Sequence, residues 1–148
     1  ASELKKLAPE PFSDEFSVTY VREILRQSKR PIKEILLDQT KFCGLGNIYA
    51  AESLFLAGID PRTAANKVAP AKAAKLHDTA RLVLAEAIEY SESLDADARD
   101  LERSYFGNAG WRVYDREGET CGICNSAIKR IKQGGRSTFY CPKCQRKR

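Results

Sequence analysis

The 148-residue sequence lacks a long hydrophobic run, since no apolar stretch approaches the ~20 residues that a membrane-spanning helix requires. The first residues, "ASELKKLAPEPF", have neither the apolar core nor the small-residue cleavage site of a secretory signal peptide. We therefore expect an intracellular protein, in the cytoplasm, nucleoid or nucleus, with no membrane partner. In that reducing environment the five cysteines are not expected to form structural disulfides.

Acidic residues are missing from the last part of the chain. From Cys121 to Arg148 there are eight Lys and Arg residues and no Asp or Glu, whereas residues 1–120 carry 17 basic and 20 acidic residues. The net charge of +5 therefore understates how cationic the C-terminus is. Such a block favours a polyanionic partner, and a solvated basic tail is the simpler alternative.

Histidine is also scarce, so a metal site built on imidazoles is not expected. His77 is the only histidine, and we assign it no function; Cys43 is interpreted as a small buried apolar residue. The other four cysteines form two C-x-x-C pairs with sixteen residues between them, at Cys121, Cys124, Cys141 and Cys144. This spacing is typical of a zinc site in which four thiolates fill a tetrahedron. We expect one structural Zn²⁺, with free or disulfide-bonded thiols as the alternative.

The segment between the two cysteine pairs predicts a β-hairpin. In "AIKRIKQGGRSTFYC" the side chains alternate around Gly134-Gly135, and Arg136 follows just beyond the tip. An arginine there can reach a DNA phosphate or the minor groove, or it can be a solvated tip residue. Because 28 residues bury too little surface to fold alone, zinc binding, with an apparent free energy of about 10–16 kcal/mol in small fingers, is expected to stabilise them.

Hydrophobic periodicity predicts a helical domain upstream of this finger. One helix follows Ser13-Asp14-Glu15, a second opens at Pro31, a third ends near Gly58, and the longest begins around Pro70, where Leu76, Ala80, Val83 and Ile88 share one face. The expected fold is mainly α, with a helix bundle in residues 1–100 followed by a linker and the zinc finger in residues 101–148. The acidic linker "SESLDADARDLERS" receives no role, and Trp111 and Tyr114 are interpreted as packing residues.

The stretch "FCGLGNIY" separates the second and third predicted helices. Gly44 and Gly46 allow a positive φ or a close approach of another molecule, and Asn47 is a favoured N-cap residue. Free N–H groups at a helix start, together with the helix dipole, suit an anion such as a phosphate. Asn47 therefore either caps its own helix or donates its amide to a phosphate. Lys29, Arg30 and Lys33 flank this turn and either add phosphate contacts or form a solvated face.

Taken together, these motifs resemble a known family. The segments "APEPFSDEF" and "ILLDQTKFCGLGNIYAAESLFLAGIDP", and the final cysteine pairs enclosing "GGRSTFY", resemble the C-terminal half of the formamidopyrimidine-DNA glycosylase and endonuclease VIII family. The resemblance implies a helix-two-turn-helix domain and a zinc finger that form one wall of a DNA-binding cleft. It also implies a monomer whose partner is double-stranded DNA containing a damaged base or an abasic site.

By the same resemblance, Asn47 and Arg136 contact the phosphates that flank the damaged nucleotide, and zinc positions Arg136 without taking part in the chemistry. Catalysis in that family uses an N-terminal proline amine and a neighbouring glutamate, whereas this chain begins Ala1-Ser2-Glu3-Leu4. We expect a DNA-binding portion of a base-excision repair glycosylase/AP lyase, with no catalytic residue and no activity alone. The loop before the finger, "LERSYFGNAGWRVYDREGE", is short for that family, which leaves the preferred lesion open.

Two other functions fit parts of the sequence. One is a stand-alone zinc-containing DNA-binding module, and the other is an RNA-binding or ribosome-associated protein. The joint presence of "GLGNIYA" and "GGR" disfavours the ribosomal alternative, because these two motifs occur together in the glycosylase pattern.

Overall fold

The computed structural model describes residues 8–93 and 110–146. Its elements are α1 (Val18–Arg26), α2 (Ile32–Leu36), α3 (Asn47–Ala57), a 3₁₀ turn (Ala65–Lys67), α4 (Pro70–Ser93), β1 (Lys129–Gln133) and β2 (Arg136–Tyr140). The mainly α fold with a C-terminal hairpin is thus confirmed. Most of the acidic linker and the start of the short loop lie outside the described residues. Within the described ranges, no helix has the length and apolar character needed to cross a membrane.

The first helix begins at Val18, two residues later than a helix that directly follows Ser13-Asp14-Glu15. Ser17 is its N-cap, and the Ser17 hydroxyl accepts a hydrogen bond from the Tyr20 amide at 3.0 Å. Ser13 instead closes a preceding turn, in which its hydroxyl donates to the Glu10 carbonyl at 2.8 Å. The predicted start was wrong because both serines satisfy the N-cap preference, and only the second is followed by helical backbone.

Helix α4 follows the predicted register as far as Val83. Leu76, Ala80 and Val83 are buried, but Ile88 is 48% exposed among the described residues. The helix has 24 residues, or about 36 Å at 1.5 Å per residue, while α1 and α3 have 9 and 11 residues. The part of α4 around Ile88 therefore lies beyond the region where other helices cover its apolar face.

Helix α3 lies between two hydrophobic clusters and is buried on nearly all sides. On one side Ala50 and Leu54 join the core of the helical region, and on the other Ala51 and Phe55 pack against apolar residues of the finger region. The helix ends at Gly58, whose φ of 72° is the left-handed conformation that glycine adopts without strain. The finger is therefore docked directly on α3, the helix that follows the glycine turn.

Candidate nucleic-acid interface

The four cysteines of the two C-x-x-C pairs meet at one point. Their sulfur atoms all lie within 4.8 Å of one another, with Cys121 Sγ 3.8 Å from Cys144 Sγ and Cys124 Sγ 3.3 Å from Cys141 Sγ. A tetrahedral zinc with Zn–S bonds of about 2.3 Å requires sulfur–sulfur distances of about 3.8 Å. The cluster therefore fits one Zn²⁺, as the spacing predicted, and all four ligand positions are supplied by protein.

Each cysteine pair turns its backbone amides toward sulfur. The Ile123 amide donates to Cys121 Sγ and the Cys144 amide donates to Cys141 Sγ, both at 3.4 Å. Burial raises the pKa of the Cys141 and Cys144 thiols, whereas hydrogen bonds from Ser126 lower the pKa of Cys124 to about 6. Zinc binds thiolates, so these thiols release their protons on binding the metal, whose charge stabilises the anions.

The hairpin between the pairs presents Arg136 at its tip. Strands β1 and β2 are antiparallel, and Gln133 pairs with Arg136 across the two-residue turn Gly134-Gly135. Both turn glycines have positive φ, 56° and 81°, as a type I′ turn requires. Thr138, Phe139 and Tyr140 at the other end of β2 are buried. The exposed Arg136 is thus carried by a strand whose far end is anchored in the protein.

The glycine turn before α3 has an open outer face. Gly44 has a φ of 83°, and Gly46 is in extended conformation as the N-cap of α3. A Cβ atom placed on either glycine would meet no other heavy atom within 4 Å. The Gln39 side chain stabilises the turn with two hydrogen bonds. Its Oε1 accepts from the Gly44 amide at 3.1 Å, and its Nε2 donates to the Leu45 carbonyl at 3.2 Å. The sequence analysis missed Gln39, which no motif distinguishes.

Asn47 does not cap its own helix, so of its two expected roles the capping role is wrong. It is the first residue of α3, and its side chain contacts the hairpin instead. Its Nδ2 donates to the Ser137 carbonyl at 3.0 Å, and its Oδ1 accepts a hydrogen bond from Lys33 Nζ. Because both ends of the amide are used in this way, the cap position falls to Gly46.

Lys33 is neither exposed nor on a solvated face. Its side chain is completely buried, and its Nζ also donates to Thr138 Oγ1 at 2.8 Å and to the Ser137 carbonyl at 3.3 Å. Burial, and then the nearby positive charge of Arg136, lower the pKa of Lys33 to about 8. Its position in "PIKEIL", between Ile32 and Ile35, is the only hint in the sequence that this lysine is covered.

Glu52 fixes the chain that enters the finger. This fully buried carboxylate of α3 accepts hydrogen bonds from the backbone amides of Arg112, Val113 and Tyr114, at 2.8, 2.9 and 3.2 Å. The Arg112 guanidinium lies 3.5 Å from the Glu52 carboxylate and pairs at 2.9 Å with Glu86. The sequence analysis missed this clamp, because nothing marks Glu52 as buried.

Aromatic side chains complete the contact between the finger and α3. Trp111 packs edge-on against Tyr49 at 6.0 Å between ring centroids and against Tyr114 at 6.3 Å, and Tyr114 packs against Phe139 at 5.2 Å. These contacts agree with the interpretation of Trp111 and Tyr114 as packing residues.

These contacts bring the two predicted phosphate contacts to one place. Asn47 is hydrogen-bonded to Ser137, the residue that follows Arg136, although the two segments are 90 positions apart in sequence. The open face of Gly44 and Gly46 lies at the start of the same helix. An exposed guanidinium next to a helix N-terminus is an arrangement that suits a phosphate group.

Comparison with known proteins identifies two family modules. Residues 7–97 match the family described as "Formamidopyrimidine-DNA glycosylase H2TH domain", and residues 118–146 match "Zinc finger found in FPG and IleRS". Relatives named formamidopyrimidine-DNA glycosylase include those of Rhizorhabdus wittichii, 47% identical, and Parasynechococcus marenigrum, 46% identical, each over 144 residues. Each alignment covers 96% of this chain but only 53% and 51% of the respective relative.

Solved structures give the same result. The complex between Lactococcus lactis Fpg and an abasic site containing DNA is similar with a TM-score of 0.83 and 38% identity, over 97% of this chain and 52% of that one. MutM (Fpg) from Thermus thermophilus has a TM-score of 0.80 and 34% identity, over 95% of this chain and 54% of that one. The chain spans about half the length of the relatives it matches.

Proposed function

The chain belongs to the formamidopyrimidine-DNA glycosylase family, and from this premise we propose that it grips the backbone of double-stranded DNA around a damaged base or an abasic site. It supplies the DNA-binding part of a base-excision repair glycosylase/AP lyase, an activity we propose for the whole protein. Because the proposed ligand is DNA, we also propose a location inside the cell, in the cytoplasm, nucleoid or nucleus.

The observation that supports this proposal most is the link between α3 and the hairpin tip. Asn47 and Lys33 both bond to the Ser137 carbonyl, at 3.0 and 3.3 Å, and thereby hold the neighbouring Arg136 beside the glycine turn. The glycine turn of the helical region and Arg136 of the finger are thus held at a fixed distance from each other. A fixed separation is what a clamp on one DNA strand requires.

In this proposal the contacts to DNA are mainly to phosphates. Arg136 provides an exposed positive charge, and the open backbone at Gly44 and Gly46 provides N–H groups at the positive end of α3. Extruding a nucleotide from a duplex costs a few kcal/mol, and contacts to the distorted backbone offset part of that cost. The bound zinc holds the two cysteine pairs together and so fixes the base of the hairpin that carries Arg136.

The proposal is tested by the affinity for a duplex with a single abasic-site analogue, compared with the same duplex intact. We expect tighter binding to the abasic duplex, and a decrease of about tenfold in affinity in Asn47→Ala and in Arg136→Ala. Gly46→Ala leaves the fold intact, because a Cβ meets no atom there, but weakens binding if a phosphate approaches this backbone. Arg26→Ala, which removes an exposed charge on α1, is the matched control and keeps full affinity.

The other candidate functions are outcomes of the same measurement. Equal affinity for abasic and intact duplexes indicates a stand-alone DNA-binding module, and tighter binding to RNA indicates an RNA-binding protein. If Asn47→Ala and Arg136→Ala both bind like the unmodified chain at low salt, the roles proposed for these two residues are wrong.

A further inference from the structure

A groove of about 510 Å³ lies on the other side of the finger, where the second cysteine pair meets the helical region. Gly58, Ile59 and Val68 form its floor, with the start of α4 on one side and Cys144 on the other. Its volume falls within the range of about 300–1,000 Å³ that is typical of small-ligand sites. We name it the basic groove.

The basic groove is separate from the proposed clamp. Strand β2 begins at Arg136, and the finger wall of the groove begins only after Cys141 at the opposite end of that strand. Five residues of extended chain span about 16 Å, so a phosphate held at Arg136 does not reach the groove. A ligand in the groove therefore makes contacts of its own.

The charge of the basic groove is strongly positive. Four exposed cations line it: Lys67, Lys72, Lys143 and Arg146. Of the described residues that line it, Asp60 alone is acidic, and that carboxylate is 2% exposed. Arg62 neutralises it with hydrogen bonds of 2.7 and 3.0 Å. No carboxylate among these lining residues therefore offsets the four cations.

The floor of the groove depends on a glycine. Gly58 has a φ of 72°, and a Cβ there would lie 2.8 Å from Lys72 Nζ and 3.4 Å from the Cys144 carbonyl oxygen. Lys72 Nζ donates to the Ala57 and Gly58 carbonyls at 3.3 and 3.4 Å, which holds its charge at the floor. Lys72 also belongs to the first turn of α4, where the helix dipole is positive and no acidic side chain is present.

We propose that the basic groove is a second anion site, which binds a phosphate group and is independent of the clamp at Asn47 and Arg136. Cations on both walls match the several oxygens of a phosphate, and the apolar floor of Ile59 and Val68 accommodates an attached sugar or base. The phosphate comes either from the DNA backbone beyond the clamp or from a free nucleoside polyphosphate. Only the first source rests on the proposed function.

The probe for this site is inorganic pyrophosphate, titrated into the zinc-loaded chain at low salt while backbone amide resonances are followed by NMR. We expect shifts centred on Gly58 and Lys72. The double variant Lys67→Gln/Lys143→Gln should bind about tenfold more weakly, because positive charge is removed from both walls. Arg26→Gln/Lys75→Gln, which removes two exposed charges outside the groove, is the matched control and should bind as the unmodified chain does.

The proposal is overturned if pyrophosphate does not bind, if its shifts lie elsewhere, or if both double variants bind it equally weakly. Lys72 is left unchanged in these variants because its ammonium also holds the end of α3. These criteria do not involve DNA. If the unmodified chain shows no preference for the abasic duplex while pyrophosphate still binds the groove, the proposed function fails and the second anion site stands.

Two further measurements on a verified site distinguish the sources. If the phosphate belongs to DNA, the affinity of the groove variant for a duplex depends less on salt concentration. The slope of log affinity against log salt concentration is then smaller in magnitude by about 0.9 for each phosphate that the variant no longer neutralises. If the phosphate belongs to a free nucleotide, ATP binds more tightly than pyrophosphate, and the salt dependence of DNA binding is the same in the variant as in the unmodified chain.

Discussion

The helical region and the finger differ in how much apolar surface they bury. Among the described residues, the main cluster of the helical region contains sixteen buried apolar residues and the cluster under the finger contains seven. Of these seven, Ala51 and Phe55 belong to α3, and Cys121 and Cys141 belong to the metal site. The helical region is therefore stabilised by its own core. The finger depends on the metal and on α3, so loss of either support should affect the finger more than the helical region.

The largest effect is expected from removing zinc. Chelation with EDTA should abolish the chemical-shift dispersion of the hairpin amides while the helical circular dichroism remains, because zinc contributes an apparent free energy of about 10–16 kcal/mol in small fingers. Cys141→Ser should have the same effect without a chelator. Cys43→Ser is the matched control, since Cys43 lies outside the cluster and should retain the zinc-bound spectrum. A hairpin that persists without metal would show that the finger does not depend on zinc for its structure.

A smaller effect is expected from removing the support that α3 gives. Glu52→Ala leaves the buried Val113 amide and the half-buried Arg112 and Tyr114 amides without their acceptor, and should lower the free energy of unfolding by about 3 kcal/mol. Amide hydrogen exchange at Val113 should accelerate more than exchange in α1. Glu86→Ala, which removes only an exposed partner of Arg112, should change stability by about 1 kcal/mol or less. Unchanged protection at Val113 would show that Glu52 does not hold the finger.

The third effect is a pH dependence that arises where the two regions meet. The pKa of Lys33 falls to about 8 in the folded chain from an unfolded value of 10.5, so burial penalises its charged form. This penalty is present in full below pH 8. Between pH 8 and 10.5 the folded state loses its proton before the unfolded state does, so stability rises with pH.

The measurement is urea unfolding of the unmodified chain and of Lys33→Met across that window. The stability of the unmodified chain relative to the variant should increase as the pH is raised and then level off. A difference that stays constant with pH would mean that Lys33 keeps its proton when folded.

Features encoded in neighbouring residues could be predicted from the sequence. The helices follow from apolar periodicity, the hairpin follows from the alternation around Gly134-Gly135, and the zinc cluster follows from the cysteine spacing. The start of α1 was misplaced because Ser13 and Ser17 satisfy the same local rule, and backbone geometry alone separates them.

The contacts that join the two regions could not be predicted, because their partners are far apart in sequence. Asn47 bonds to a residue 90 positions away, and Lys33 to residues 104 and 105 positions away. Local rules offered Asn47 as a cap or a phosphate contact, and Lys33 as a phosphate contact or part of a solvated face. Only in the folded chain does the hairpin lie where it can accept hydrogen bonds from both side chains.

The same separation determines the order in which the molecule assembles during synthesis. The helical region is made first and consists largely of contacts between neighbouring segments, which form quickly. The bonds from Lys33 and Asn47 to the hairpin must wait until the last cysteine has been made and a metal ion has been captured. A cell short of zinc is therefore expected to accumulate chains that are folded and resistant to proteolysis in their helical region but have no closed clamp.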